Sequence, residues 1–114
     1  GQLFKIRLTE IDAPERDQPF GKQSTDNLKV FLMKGFIDVD LEGQDIYKRH
    51  LGRIYVDGED INKKMVSTGS AWVYDKYVTE ESFYIEQKKA QNDKLGIWAN
   101  EEAMPPWVWR QRNN

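Results

Sequence analysis

The chain of 114 residues is long enough for one compact domain with its own core and too short for two, and no apolar run is long enough to cross a membrane. It contains no cysteine and one histidine, which excludes disulfides, thiolate metal sites and metal sites built from several histidines. The formal net charge of −2 argues against a protein that coats nucleic acid through phosphate contacts alone, but it is compatible with a few placed arginines around a bound cation.

The first predicted element is a strand over residues 3–11, where apolar and polar residues alternate. Arg7 lies on the polar face of this strand. Continued alternation would place Asp12 on the apolar face, where a lone carboxylate is costly, so we expect the strand to end or bend near Ile11. Residues 12–19 are then predicted to form a loop.

A helix and two strands follow along the chain. Apolar residues at helical spacing predict a helix over residues 22–34, which the next glycine ends. Residues 36–41 alternate again and predict a strand, which a polar turn connects to a further strand over residues 51–57. The pair Asp57-Gly58 is typical of a tight turn and closes that strand.

The second half of the chain is predicted to be mainly helical. Asn62 is a good N-cap for a short helix through Thr68, and residues 71–74 are predicted to form a short strand. Thr79 is predicted to cap a last helix that ends at Gly96. This order of elements suits a small closed β-barrel with helices packed around it.

The C-terminal tail, residues 99–114 of a single domain over residues 1–114, is aromatic and otherwise polar. Trp107 and Trp109 follow two consecutive prolines. We expect the tail to fold back and cover an edge of the core. The alternative is an aromatic patch on which bases stack.

The most informative segment holds two carboxylates three positions apart around a proline, with an arginine upstream. It consists of Arg7 and then Asp12, Ala13, Pro14 and Glu15. Pro14 fixes its own backbone and restricts Ala13 to extended geometry, which holds the two carboxylates in a defined relation. One carboxylate can then hold a metal while the other handles a water molecule. By composition alone, the same segment is also an ordinary turn.

A second segment, from Asp45 to Arg49, places an arginine next to Tyr47 in a turn. A guanidinium in such a place can meet a phosphate. Charged residues are common in turns, so this segment alone also has a purely structural interpretation.

Together these segments resemble the staphylococcal nuclease family. The stretch from Arg7 to Glu15 is similar to that family's arginine strand and Asp-x-Pro-Glu loop, and residues 45–49 are similar to its later Asp-x-Tyr-Gly-Arg turn. Further stretches that agree in order and spacing are residues 55–62, 69–71 and 95–98. The ordered set, from Gln2 to Trp98, is specific where no single motif is.

The resemblance implies a fold that is mainly β with helices, namely an OB-like five-stranded β-barrel with three α-helices. It also implies a calcium-dependent phosphodiesterase that hydrolyses DNA and RNA and leaves 3′-phosphate ends. By this resemblance, the side chain of Asp12 and the backbone carbonyl of Ala13 would bind Ca²⁺, which prefers hard oxygen ligands. Glu15 would orient or deprotonate the attacking water.

The same resemblance assigns the phosphate and the nucleotide to other residues. Arg7 and Arg49 would hold the phosphate and stabilise the charge that builds on it. Tyr47 and Tyr77 align with tyrosines that flank the bound nucleotide in the family.

This sequence departs from the family pattern in two places. Lys48 stands where the family turn has glycine, which would strain the backbone if that position needs a positive φ. The family's first strand and its metal-binding aspartate have no counterpart, because Gly1-Gln2 resembles the hairpin turn just before the arginine strand. We therefore expect a fragment that binds calcium weakly and has weak activity or none.

A barrel without its first strand has unpaired edges. We therefore expect this chain to pair with a second copy as a homodimer, by edge pairing or strand exchange. The sequence leaves the compartment open: the chain carries no signal peptide, and the resemblance favours a secreted or periplasmic parent protein.

A non-catalytic domain of the same fold, which binds nucleic acid or protein, is the alternative to a nuclease. A binding module has no reason to keep both carboxylates. Convergence of Arg7, Asp12, Glu15 and Arg49 on one cleft would therefore favour the nuclease.

Overall fold

The computed structural model describes residues 5–113 as six short strands, four α-helices and one 3-10 helix. The strands are β1 (Ile6–Leu8), β2 (Ile11–Asp12), β3 (Ile37–Gln44), β4 (His50–Val56), β5 (Glu59–Asp60) and β6 (Trp72–Val73). The helices are α1 (Gly21–Leu32), α2 (Ile61–Ser67), α3 (Ser82–Asn92), the 3-10 helix (Gly96–Ala99) and α4 (Pro106–Arg112). None of the helices in this range is long and apolar enough to cross a membrane.

The strands form two sheets. In the larger sheet, β4 lies between β1, which runs parallel to it, and β3, which runs antiparallel. The short strand β5 pairs antiparallel with the end of β4. The smaller sheet pairs β2 with β6 and places Asp12 opposite Trp72. The prediction of a mainly β, OB-like fold with helices is confirmed. The predicted number of three helices is one too few, because the tail forms α4.

The core lies between the larger sheet and α2, which also contacts α1 and α3. Its fully buried side chains include Ile11, Ile61, Met65, Val66, Val73 and Phe83. The apolar residues of α2 fall at the helical spacing that one buried face requires. Strand β2 packs against this core, so the loop after Asp12 begins at a buried strand.

The predicted strand over residues 3–11 is interrupted. Glu10 adopts a left-handed φ of 74°, which bends the chain between β1 and β2. This conformation is held because the Glu10 carboxylate is buried and accepts hydrogen bonds from Thr79 and Glu80. After the bend Asp12 lies in β2 and not in a loop. The first residues of the predicted strand, Leu3 and Phe4, and the predicted turn at Gly1-Gln2 lie outside the described residues.

Two predicted helix caps are wrong. Asp60, and not Asn62, caps α2, since its side chain accepts a hydrogen bond from the backbone N–H of Lys63. Asn62 is instead fully buried inside the first turn of α2. Thr79 does not cap α3, which begins at Ser82, because its hydroxyl and N–H are both bonded to Glu10.

The remaining predicted elements are found within a few residues of their expected bounds. The helix over residues 22–34 corresponds to α1, and the tight turn at Asp57-Gly58 joins β4 to β5. The last predicted helix ends at Asn92 and not at Gly96. The strand predicted over residues 36–41 is longer, because β3 continues to Gln44 across an irregularity in its pairing.

Strand β3 is exposed along its whole length and pairs, among the described residues, only with β4. Its alternate residues Ile37, Val39 and Leu41 are apolar and exposed, and Ile6 of β1 is also exposed. Such an edge is a feature that can pair with another strand. The expected homodimer stays a prediction.

Candidate active site

Asp12 is the most enclosed acidic group of the candidate site, with 4% of its surface exposed. The guanidinium of Arg110 in α4 forms hydrogen bonds to both carboxylate oxygens of Asp12: Nη2 donates to Oδ2 at 2.6 Å and Nη1 donates to Oδ1 at 3.2 Å. Nη2 of Arg7 lies 3.6 Å from the same Oδ1. Two guanidiniums therefore compensate a carboxylate that would be costly to bury alone.

Glu15 lies on the loop after β2 and shares Arg110 with Asp12. Nη1 of Arg110 donates to Glu15 Oε1 at 2.8 Å. Gln18 fixes the Glu15 backbone, because its Oε1 accepts from Glu15 N–H and its Nε2 donates to Met104 O at 2.6 Å. Gly21 packs so closely that a Cβ there would lie 1.9 Å from Glu15 O. The loop is thus pinned by α1 and by the tail.

Arg7 projects from β1 and is held by the backbone beneath the site. Its Nη1 donates to the carbonyl oxygens of Leu8 and Ile11, each at 2.9 Å. Its guanidinium carbon lies 5.5 Å from the ring centroid of Tyr74. The side chain is 22% exposed, so part of it still reaches solvent.

Burial lowers the pKa of Arg7 below the ordinary value for arginine, although the Asp12 charge opposes this shift. The positive charges of Arg49 and Arg110 lower the Arg7 pKa further. All three guanidiniums therefore lie within electrostatic range of one another. Three positive charges in one place suit an anion with several negative oxygens.

Arg49 lies at the exposed end of the site, in the turn before β4. Its Nε donates to Asp45 Oδ2 at 2.7 Å, and Asp45 Oδ1 accepts from the backbone N–H groups of Tyr47 and Arg49. The Arg49 side chain is 44% exposed, and its guanidinium carbon lies 5.5 Å from the Tyr47 ring. In this state Arg49 is turned towards Asp45 and makes no hydrogen bond to Asp12 or Glu15.

Lys48, which departs from the family pattern, adopts a φ of 62° in this turn. A side chain at such a φ is strained, whereas glycine is not. We expect Lys48→Gly to raise the free energy of unfolding by about 0.5–1 kcal/mol. Glycine removes the backbone strain of the folded turn, and this gain exceeds the cost of the greater conformational entropy that glycine gives the unfolded chain. Urea unfolding of the two proteins measures this difference. Lys48→Ala removes the charge but keeps the strain, so it should not stabilise, and equal gains from the two changes would contradict the strain argument.

An aromatic strip borders the arginines. The rings of Tyr74 and Trp107 stack with centroids 5.3 Å apart and planes 8° apart, and the Tyr77 ring meets Tyr74 edge-on at 5.1 Å. Trp107 also meets Trp72 edge-on at 5.8 Å. This packing anchors α4 beside β6. Tyr77 and Tyr47 themselves are mostly exposed.

The structure therefore brings Arg7, Asp12 and Glu15 together and places Arg49 nearby at the rim. Ala13 is half-buried between the two acids and packs against the core. Sequence reasoning missed Arg110, which binds both acids. No spacing rule points to a residue 98 positions from its partner, and the aromatic tail was the only signal near it.

The ligand atoms that the site offers are oxygens, the type that a hard cation prefers. They are the two carboxylates and the backbone carbonyl of Ala13, and ions of this class complete their shell with water and substrate phosphate oxygens. No group of three or more His, Cys, Asp or Glu side chains that could hold a metal occurs between residues 5 and 113. The protein donors of the described part therefore form only part of a coordination shell, and Arg110 engages both carboxylates.

Comparison with known proteins gives a consistent assignment. Residues 5–100 match the family of staphylococcal nuclease homologues. The chain is 40% identical over 112 residues to an uncharacterized endonuclease of Escherichia coli O157:H7, an alignment that covers 97% of this chain and 73% of the relative. It is 35% identical over 109 residues to an uncharacterized endonuclease of Haemophilus influenzae, covering 96% of this chain and 61% of the relative. It is 33% identical over 121 residues to a micrococcal nuclease of Shigella flexneri, covering 96% and 70% of the two chains. The predicted family is confirmed, and the chain belongs to the staphylococcal nuclease family.

Proposed function

We propose that the protein is a calcium-dependent phosphodiesterase that hydrolyses DNA and RNA and leaves 3′-phosphate ends. Membership of a nuclease family and relatives named endonuclease and micrococcal nuclease support a nuclease. The observation that carries the proposal is the convergence of Arg7 with Asp12 and Glu15, two carboxylates and a guanidinium in one place. A module that only binds nucleic acid would gain nothing from placing carboxylates where a phosphate must approach.

The cation is assigned to the oxygen donors of the β2 loop. Asp12 through its carboxylate and Ala13 through its carbonyl would hold Ca²⁺, with water and the substrate phosphate completing the shell. When bound, the ion would supply positive charge against the phosphate oxygens.

Glu15 is the proposed base. Its side chain is 40% exposed, and only its Oε1 accepts a hydrogen bond among the described residues, so Oε2 is available to a water molecule. As the water oxygen forms its bond to phosphorus, Glu15 takes the water proton. The bond between phosphorus and the 5′ oxygen then breaks, and that oxygen leaves as a hydroxyl after gaining a proton from solvent. The other product carries the 3′-phosphate.

The arginines and tyrosines are assigned to the substrate. Arg7, fixed from below by two backbone carbonyls, presents its remaining N–H groups to a phosphate oxygen without reorganisation. Arg49 reaches the phosphate after it leaves Asp45. The exposed rings of Tyr47 and Tyr77 lie at the rim of the site, where a base can stack on each.

Glu15→Gln is the variant that tests this assignment. We expect it to lower kcat for single-stranded DNA and for RNA by about 10²–10⁴-fold in the presence of calcium, because amide nitrogen and oxygen cannot accept the water proton. The exposed Glu101→Gln carries the same charge change and should retain activity. Excess chelator should abolish cleavage by the unmodified protein, and 5′-phosphate products would contradict the proposed bond. Binding of DNA with no cleavage by any form would support a non-catalytic domain instead.

A further inference from the structure

Arg110 binds the same carboxylate to which the cation is assigned, and it also binds Glu15. Its guanidinium makes three hydrogen bonds to the two acids, at 2.6, 2.8 and 3.2 Å, and so bridges Asp12 and Glu15. An arginine side chain stays protonated in proteins, so the Arg110 guanidinium brings a full positive charge to both carboxylates. The strongest acceptors of the site are thus already satisfied by a side chain of the protein.

The charges of this cluster are balanced before any ion arrives. Asp12 and Glu15 carry two negative charges, and Arg7 and Arg110 carry two positive charges. A divalent cation added to the cluster would create an excess of positive charge, and it would also need the carboxylate oxygens that Arg110 holds. Departure of the Arg110 guanidinium removes both obstacles.

The guanidinium can leave without unfolding the tail. Helix α4 is anchored by the stacking of Trp107 on Tyr74 and by the burial of Pro106, neither of which involves Arg110. The Arg110 side chain is 36% exposed, so a rotation of its own torsions carries the guanidinium towards solvent.

We propose that Arg110 is a built-in counter-cation that holds Asp12 and Glu15 until a divalent cation displaces it, so that the tail sets the threshold concentration for cation binding. This inference rests on the proposed function, because it places the cation at the same carboxylates. It adds a negative coupling between α4 and the ion, which by linkage acts in both directions. The ion should therefore release Arg110, and loss of Arg110 should strengthen binding of the ion.

Calorimetric titration of the full chain with CaCl₂ tests the proposal without using activity. We expect Arg110→Ala to bind Ca²⁺ about tenfold or more tightly than the unmodified protein, as is usual for such couplings. Arg110→Gln, which keeps most of the side-chain length, should act in the same direction if the alanine variant folds poorly. Arg112→Ala is the matched control, since Arg112 is exposed on the same helix and forms no ion pair within residues 5–113.

The other outcomes separate the two proposals. Unchanged or weaker Ca²⁺ binding by Arg110→Ala would overturn the counter-cation role and would make Arg110 a positioning residue, while calcium dependence would stand. Absence of binding by every variant would overturn both the counter-cation role and the calcium site, and cleavage assays would then decide the nuclease proposal separately. Binding that survives Asp12→Asn in the Arg110→Ala background would place the ion elsewhere and also overturn the proposal.

Discussion

Arg49→Ala is expected to lower kcat/KM for single-stranded DNA by about 10²–10³-fold. This corresponds to about 3–4 kcal/mol, the usual cost of removing one donor that stabilises charge in a transition state. Arg49 is exposed and lies in a surface turn, so its loss should not unfold the protein. The effect therefore reports on chemistry and not on stability.

The size of this effect follows from the position of Arg49. In the structure it is paired with Asp45 and turned away from the acids, so it contributes little to holding the free site together. A contact made only when the phosphate is bound and reacting lowers the barrier without lowering the energy of the free protein. Arg49→Lys should recover only part of the activity, because an ammonium group cannot donate two parallel hydrogen bonds to a phosphate.

Steady-state cleavage of a fluorescent oligonucleotide is the measurement, with a thermal melt of each variant beside it. Lys88→Ala, an exposed change of the same charge on α3, is the control and should retain activity. A loss of less than about fivefold with Arg49→Ala would show that Arg49 does not act on the phosphate.

The second large effect is expected at Asn62, whose substitution by alanine should lower the free energy of unfolding by about 3 kcal/mol. Asn62 is fully buried in α2. Its Nδ2 donates to the carbonyl oxygens of Thr9 at 3.0 Å and Gly52 at 3.1 Å, and its Oδ1 accepts from Ile54 N–H at 3.0 Å. Alanine would leave these backbone groups buried with a partner missing, which costs more than the bonds contributed.

Asn62 also connects stability to the site. Thr9 lies between Arg7 and Asp12, at the point where the chain leaves β1, so Asn62 ties that point to β4 and α2. Urea unfolding measures the expected loss, and Asn92→Ala, at an exposed position of α3, should change stability by less than about 0.5 kcal/mol. Equal effects of the two substitutions would show that the Asn62 network is not what holds β1 to β4.

Local features of the sequence were enough to predict much of the framework. The alternation over residues 36–41, the tight turn after β4 and the helical spacing of α1 are short-range patterns, and the structure forms β3, that turn and α1 at these places. The pairing of Asp12 and Glu15 around Pro14 is local as well, since a proline limits its own backbone and that of the residue before it.

Other features depended on contacts between distant parts of the chain. The bend at Glu10 needs hydrogen-bond donors from residues 79–80. Asp60 and not Asn62 caps α2, because Asn62 is buried in the core. Asp12 was predicted to leave the strand because a lone buried carboxylate is costly, yet it lies buried in β2. Only this first residue of the predicted loop over residues 12–19 was wrong, because a partner for its carboxylate could not be seen in the nearby sequence.

The sequence by itself determined the family, the mainly β class of the fold and the order of acidic and basic residues along the site, because these follow from short spacings and their order. Only the tertiary structure decided how the acids are compensated. Packing of Trp107 against Tyr74 brings Arg110 to carboxylates that lie 95 and 98 positions away in the chain. An ion pair depends on the distance between two groups in space, whereas a periodic pattern reports only on residues close together in the chain. No spacing pattern could therefore have predicted this contact.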